Sequence, residues 1–457
     1  MINSIINALN LKDEDVDSIA SISSFQNEDF LITLKLKDHI CPSCGSLTHS
    51  IKDYKIRTIH QKVFLQFNSV IYYKVRRYIC NSCGKSFIEK NPFGCGKKRI
   101  PPAMIIQVLD ALKPFNSTFS SVARNFDVSV SSVIDIFDKH VQMRRKPLSS
   151  ILCWDEFYFN RHSKYKYAFM IMDFEKKVIL DIIESRHMNI LSSYFYTIPV
   201  QERSHVRYII IDMYKNYRDL AKIYFPKAVI CVDPFHAMKR INDALNSIRK
   251  RILRKYNDDK DSESYKLLKY RYRLILKNRC DLEIEKRRYD KIVNYSITER
   301  DMLDKILSID KHLKNAYYIK EKYVSFNCSK KEYFKGRKEK EEELDDIMRA
   351  MAESKIHEFI DCIKTLNTWR DEILNSFSWI NDKRVSNGPI EGKNTYIKKI
   401  ISNANGYSNF ERARNKFMYS QNLYDTYSLV EHKHTVKRKF MSRGPYKKEK
   451  KTNSFSQ

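Results

Sequence analysis

A chain of 457 residues with 84 Lys and Arg against 55 Asp and Glu carries a formal net charge of +29. That excess argues against a near-neutral enzyme of small molecules and for a partner of dense negative charge, of which nucleic acid is the commonest. A hydrophobic fraction of 42% supports real cores, the length allows roughly three domains, and no apolar run approaches the ~20 residues that would span a bilayer.

The opening segment, MINSIINALNLKDEDVDS, has no basic region ahead of an apolar one and turns acidic early, so it does not read as a secretory signal. Residues 1–36 read as a short lead-in, a helix and a strand (FLITLKL). Residues 37–100 hold two near-copies, Cys41-Pro-Ser-Cys44-Gly and Cys80-Asn-Ser-Cys83-Gly. Each turn points two thiolates at one tetrahedral ion, and together they offer a closed four-thiolate zinc site with no open position for chemistry. The intervening segment 45–79 is long, but its strand-like sequence suits the extended hairpin of a zinc ribbon. The rivals are an iron–sulfur cluster and unliganded thiols, and Cys95 and His49 are candidate substitute ligands that read rather as bystanders. The remaining cysteines are scattered, which is metal-site usage in a reducing compartment rather than a disulfide framework. Lys52, Lys55, Arg57, Lys74, Arg76 and Arg77 make this ribbon basic.

Residues 101–147 predict three short helices with the rhythm of a helix-turn-helix in TFSSVARNFDVSVSSVIDIFDKHV. Val122, Ala123 and Phe126 are the expected buried face of one helix. Val133, Ile134 and Phe137 are that of the next, capped by Ser129 or Ser131. The exposed start of that second helix would face a major groove, which makes Ser131, Ser132 and Asp135 candidate DNA contacts. An unrelated small helical bundle has the same pattern.

From Leu152 the pattern changes. ILCWDEFYF, KYAFMIMDF and KVILDIIES are short and β-rich, and NILSSYFYTIP is helical. VRYIIIDM and KAVICVD are nearly all-apolar, as in strands buried on both faces, with the helical YKNYRDLAKIYFP between them. Residues 148–240 thus predict a mixed-sheet α/β domain. Residues 241–378 are charged, with apolar residues at three- and four-residue intervals, and read as an all-helical insertion. Residues 379–430 return to the sheet domain with a helix near Gly388. Residues 431–457 are a basic tail, either a solvated end or an arm that contacts phosphates. The expected fold class is multidomain α/β.

Three acids sit where chemistry can use them. Asp155 lies in the first strand of the α/β region, Asp212 ends VRYIIID, and Glu391 lies in SNGPIEGKN, where Pro389 suits a first helical turn. An ionised acid after an apolar run is costly unless paired, and a divalent metal is a good partner. Two strand-end carboxylates and a third from a helix can hold two magnesium ions about 3.5–4 Å apart for phosphoryl transfer. Glu156, Asp173 and Asp233 are rivals that periodicity does not exclude, Asp233 in VDPFH above all. No Gly-rich phosphate loop, nucleophile elbow or His-Glu-x-x-His motif is present.

The order of zinc ribbon, helix-turn-helix, WDEF, IIIDMYKNY, FPKAVICVDPFHAMKRIN and SNGPIEGKNTYIKKIISNANGYSNFERAR resembles bacterial insertion-sequence transposases of the ISL-three family, over roughly residues 40–425. The resemblance implies an RNase H-like catalytic domain with a DDE triad. By motif that triad is Asp155, Asp212 and Glu391, holding magnesium or manganese. IISNANGY is less basic than the family pattern at that place. His236, Lys239 and Arg240, and Lys393, Lys398 and Lys399, would hold the DNA backbone.

The expected function is therefore that of a cytoplasmic, nucleoid-associated transposase. It would bind the inverted-repeat ends of its element, cut them and join the freed 3′-hydroxyl to target double-stranded DNA, as a homo-oligomer and without a membrane. The rivals are a transposase-derived DNA-binding regulator that does not cut and an RNase H-like nuclease such as a junction resolvase.

Overall fold

In the computed structural model, which describes Ile6, Leu9 and residues 11–23, 28–61, 70–94, 99–327, 331–334 and 336–421, the chain divides into two compact units. One lies within residues 1–142 and the other runs from Met143 to Gln421. Among the described residues no helix is long and apolar enough to cross a membrane.

The first unit is organised by the alternation in VIYYKVRRYI. Strand β6 (Val70–Ile79) buries Ile71, Tyr73 and Val75 against Phe30, Ile32, Ile59 and Phe93. It pairs antiparallel with β5 (Ile51–His60) and with β7 (Ser86–Ile88), and parallel with β2 (Glu28–Leu34). Strand β1 (Val16–Ser23) closes the other edge against β2, and a short hairpin, β3 (His39–Ile40) with β4 (Leu47–Thr48), flanks the first cysteine turn. The expected lead-in is therefore part of the sheet rather than an appendage. FLITLKL supplies β2, and the polar VDSIASIS, which does not read as a strand alone, is an edge strand with most of its side chains in water. The helix expected near the start falls largely outside the described residues.

Three helices follow: α1 (Pro102–Ala111), α2 (Phe119–Asn125) and α3 (Val130–His140). Thr118 caps α2 through a reciprocal box with Ser121, and the Ser129 hydroxyl accepts the Ser132 N–H at 3.1 Å to start α3. Val122 and Ala123 meet Val133, Ile136 and Phe137 in the core, while Phe126 and Ile134 are only half-buried. The buried face of α3 thus sits one step round from the expected one, with Ile136 and His140 in the place given to Ile134.

The second unit is built on a five-stranded sheet in which three antiparallel strands are followed by two parallel ones. Strands β8 (Ile151–Tyr158), β9 (Tyr167–Asp173) and β10 (Val178–Ile183) are antiparallel neighbours. β11 (Tyr208–Ile211) runs parallel to β8, and β12 (Val229–Val232) parallel to β11. Both faces are covered, which explains the unbroken apolar runs of β11 and β12. Trp154 stacks on Phe195 of α4 (Met188–Tyr196) with ring centroids 4.8 Å apart. Helices α5 (Val200–Ser204) and α6 (Lys215–Tyr224) complete the connections.

Helix α7 (Pro234–Arg254) then runs without a break through residue 240, and its Ile241, Leu245, Ile248 and Ile252 enter the same hydrophobic cluster as the sheet. The rest of the helical segment is α8 (Glu263–Tyr270), α9 (Tyr272–Leu276), α10 (Glu299–Leu307), α11 (Lys311–Asn327), α12 (Arg337–Glu353), α13 (Ile360–Thr368) and α14 (Arg370–Asn375). The segment expected to be all-helical also contains a hairpin, β13 (Arg288–Asp290) with β14 (Tyr295–Ile297). Strands of three residues are too short to show a period of two. A second hairpin, β15 (Trp379–Ile380) with β16 (Lys383–Arg384), precedes α15 (Gly388–Asn403) and α16 (Phe410–Gln421).

Helix α16 lies along the β10 edge. The Gln421 side chain accepts the Ile179 N–H and donates to the Ile179 carbonyl, both at 2.9 Å, and Arg414 binds the buried Asp181. Lys416 on the same helix is fully buried, and burial pushes its ammonium down to about 7. Between about 7 and the ordinary 10.5 the unfolded chain binds a proton that the folded chain does not. Stability therefore gains about 1.4 kcal/mol per pH unit from this group as pH rises through that window. Lys416→Met is expected to remove that slope and to be the more stable protein at neutral pH. Denaturant titrations of both proteins across the window check this, and a variant that keeps the wild-type slope contradicts it.

Candidate active site and zinc cluster

The two cysteine turns fold alike. The Gly45 N–H meets the Cys41 carbonyl at 3.0 Å and the Gly84 N–H meets the Cys80 carbonyl at 2.9 Å. Both glycines are left-handed, at φ +75 and +70, where a side chain would be strained. The turns bring Cys41 Sγ to 3.7 Å from Cys83 Sγ and Cys44 Sγ to 3.5 Å from Cys80 Sγ, with all four sulfurs within 4.8 Å of one another. A soft, closed, four-thiolate set of this kind fits a structural zinc ion. His49 turns instead toward Asp38, at 3.8 Å, and Cys95 lies outside the described residues. Two of the ribbon's basic residues are engaged within the fold: Arg76 is buried against Glu89, and Arg77 pairs with Asp53.

In the helix-turn-helix segment Ser131 is exposed and Ser132 half-exposed at the start of α3, and both hydroxyls contact Ser129. Asp135 is exposed one turn further on.

Sheet register organises the acids of the second unit. Ile210 pairs with Cys153 on one side and with Cys231 on the other. Two residues further along each chain stand Asp155, Asp212 and Asp233, a row across three neighbouring parallel strands. Asp155 is inside β8 rather than at its end. It is freed on this side because β11 stops pairing at Ile210.

Helix α15 is laid against this row. The Asn387 side-chain amide donates to Asp212 Oδ1 at 3.0 Å, and the Asn387 N–H donates to Asp233 Oδ1 at 2.9 Å. The Asn394 amide donates to Asp155 Oδ2 at 2.5 Å. Glu391 lies between these two asparagines on the same helical face, at the exposed first turn. From the start of α7, His236 Nε2 reaches Asp212 Oδ1 at 2.9 Å. That hydrogen bond holds His236 above the usual imidazole range, so the ring is a partner of the acid rather than a free phosphate contact.

The charge is crowded. Burial first, and Asp212 next, push the Asp155 carboxyl up to about 7. Burial also raises Asp233, against the Asn387 N–H, with the charges of Asp212 and Glu391 adding to the push. Asp233 Oδ2 is buried with no hydrogen-bond partner. Hard carboxylate oxygens in mutual repulsion are the donor set that a divalent cation relieves. They form a row rather than a cage: among the described residues only the four cysteines gather three or more possible ligand atoms within 4.8 Å.

Two rival acids have other work. Asp173 Oδ1 caps a turn through the Glu175 and Lys176 N–H groups, at 2.8 and 2.9 Å. Glu156 is taken by Arg186, at 2.6 Å, and by the Tyr217 hydroxyl. Lys239 and Arg240 are exposed and line, with Asp212, Tyr214 and His236, a cleft of about 280 Å³. Lys398 and Lys399 are exposed, whereas Lys393 is half-buried over the Tyr396 ring, and burial lowers its ammonium. Sequence reasoning missed Asn387 and Asn394. Their spacing to Glu391, one turn before and one turn after, was the available signal.

The two units thus define a chain that joins a four-thiolate metal cluster to a carboxylate site on a mixed sheet. Residues 152–417 match a family model described as transposase. Residues 37–83 match one described as the zinc-finger of transposase IS204/IS1001/IS1096/IS1165. A curated relative, the transposase for insertion sequence element IS1001 of Bordetella parapertussis, is 22% identical over 249 residues, which are 53% of this chain and 60% of the relative. The chain belongs to the ISL-three family of insertion-sequence transposases.

Proposed function

We propose that the protein is an active transposase that binds the inverted-repeat ends of its element and cuts and joins DNA with Asp155, Asp212 and Glu391. The observation that carries this reading is the shared register of Asp155 and Asp212, with the Glu391 helix held across them by Asn387 and Asn394. The strand order, three antiparallel strands followed by two parallel ones, supports an RNase H-like domain into which the helical segment is inserted. Magnesium or manganese bound by these acids would supply the activation of the attacking water or 3′-hydroxyl and the stabilisation of the leaving oxygen.

The chain's own residues divide the remaining work. Asp155 and Asp212 present hard oxygens from a rigid sheet. Asp233 tethers the N-terminus of the helix that carries Glu391. His236 and Asn387 fix the orientation of Asp212. Lys239, Arg240, Lys398 and Lys399 are placed to meet phosphates. The zinc ribbon and the start of α3, with Ser131 and Ser132, recognise the ends, and a homo-oligomer brings two ends together at the nucleoid.

The test is cutting of a supercoiled plasmid that carries the element ends, by wild type and by Asp212→Asn. If both bind the ends and neither cuts with any divalent metal, the regulator reading replaces this one. Asn394→Ala supplies a finer check. It is expected to raise the magnesium needed for half-maximal cutting by about tenfold, the usual effect of losing a partner of a metal ligand. A magnesium titration with unchanged midpoint would assign Asn394 a purely structural role.

A further inference from the structure

A cleft of about 680 Å³ opens in the helical segment between the α8–α9 corner and the β13–β14 hairpin. Lys269, Arg271, Arg273, Lys286 and Arg288 line it, with Asp290 and Glu299 as its acids. Both acids are already engaged, Asp290 by Arg271 at 2.6 Å and Glu299 by Lys277 at 2.5 Å. These two pairs fasten the hairpin and the start of α10 to α9. Arg273 and Lys286 are exposed and make no ion pair among the described residues. The lining therefore keeps an uncompensated positive charge that the fold itself does not use.

Two tyrosines add a second feature. Tyr270 is 57% exposed and Tyr289 is 64% exposed, and both line the same cleft, one from α8 and one from β13. Lys269 sits 5.2 Å from the Tyr270 ring. Cations alone would serve a duplex backbone, whose bases are stacked on one another and offer no free face. Exposed rings beside cations are the combination that holds an unpaired strand, with bases stacked on the rings and phosphates on the charges.

We propose that this cleft binds an unpaired stretch of DNA, such as the opened end of a duplex, with Tyr270 and Tyr289 stacking on bases and Arg273 and Lys286 meeting phosphates. The proposal rests on the reading of this protein as one that acts on DNA, and it gives the helical segment a role in that action.

The experiment uses the full zinc-loaded chain without added magnesium and two fluorescein-labelled duplexes of arbitrary sequence, one fully paired and one with a non-complementary, splayed end. Wild type is expected to bind the splayed duplex more tightly. Tyr270→Ala/Tyr289→Ala is expected to lose about tenfold on the splayed duplex and nothing on the paired one. Tyr270→Phe/Tyr289→Phe keeps the ring faces and should keep the preference. Arg273→Glu/Lys286→Glu should weaken splayed-end binding and lower its salt slope by about two. A wild type with no preference, or a preference that survives the alanine pair or is lost in the phenylalanine pair, overturns the proposal. Plasmid cutting is scored separately. A protein that cuts without the preference loses only the cleft, and one that shows the ring-dependent preference without ever cutting loses only the transposase reading.

Discussion

Asp212→Asn is expected to bind the element ends as wild type does and to cut them at least about a thousandfold more slowly. The substitution keeps size and shape in a residue that ends an apolar strand, so the sheet has no reason to rearrange. What it removes is charge at the centre of the row. Asp212 stands between Asp155 and Asp233 in register, and it is the acid met by both Asn387 and His236. An amide there is a weak ligand for a hard cation and leaves His236 facing a neutral group. Gel-shift and plasmid assays on the same preparation separate the two effects. Cutting within tenfold of wild type would remove Asp212 from the proposed triad.

Cys80→Ser is expected to have the opposite pattern: no zinc, and no specific binding of the ends, while the second unit keeps its own unfolding transition. Structural zinc supplies on the order of 10 kcal/mol of folding free energy to small zinc domains. Among the described residues the sheet that carries the cysteine turns has a small core around Ile32, Ile71 and Tyr73 to set against that loss. Cys80 also begins the turn from β6 to β7, so its release frees the end of the strand that organises the unit. Metal analysis should find about one zinc per wild-type chain and none in the variant. A variant that lacks zinc yet binds the ends normally would show that the cluster is dispensable for recognition.

The sequence made some of this legible and hid the rest for physical reasons. The cysteine turns were readable because four ligands and two glycines repeat in a fixed local pattern. Asp155 and Asp212 were readable as acids beside apolar runs, though only the family resemblance singled them out from Asp233. The row with Asp233 was not, because register between strands is a tertiary fact. YIII, ILC and VICV show no sign of which residues stand side by side. Asn387 and Asn394 were hidden more deeply, since an asparagine becomes informative only once its helix is known to face the acids. The edge strand VDSIASIS and the three-residue β13–β14 pair were lost because polar or very short strands leave no period to detect. Ile134 and Ile136 were confused because a helix of 11 residues tolerates a small turn of its buried face.

Helix α7 has a mechanical meaning. Near its start His236 holds Asp212, and further along Arg249 holds the carbonyl of Leu268, 2.8 Å away, on the helix that leads into the tyrosine cleft. The two points are separated by roughly 20 Å of unbroken helix, at 1.5 Å per residue. Such a rod does not bend easily over that length, so a push delivered at one end arrives at the other. The helix beside the cleft and the side chain that meets Asp212 are thereby attached to one rigid element, onto which the long segment between the second and third acids is built.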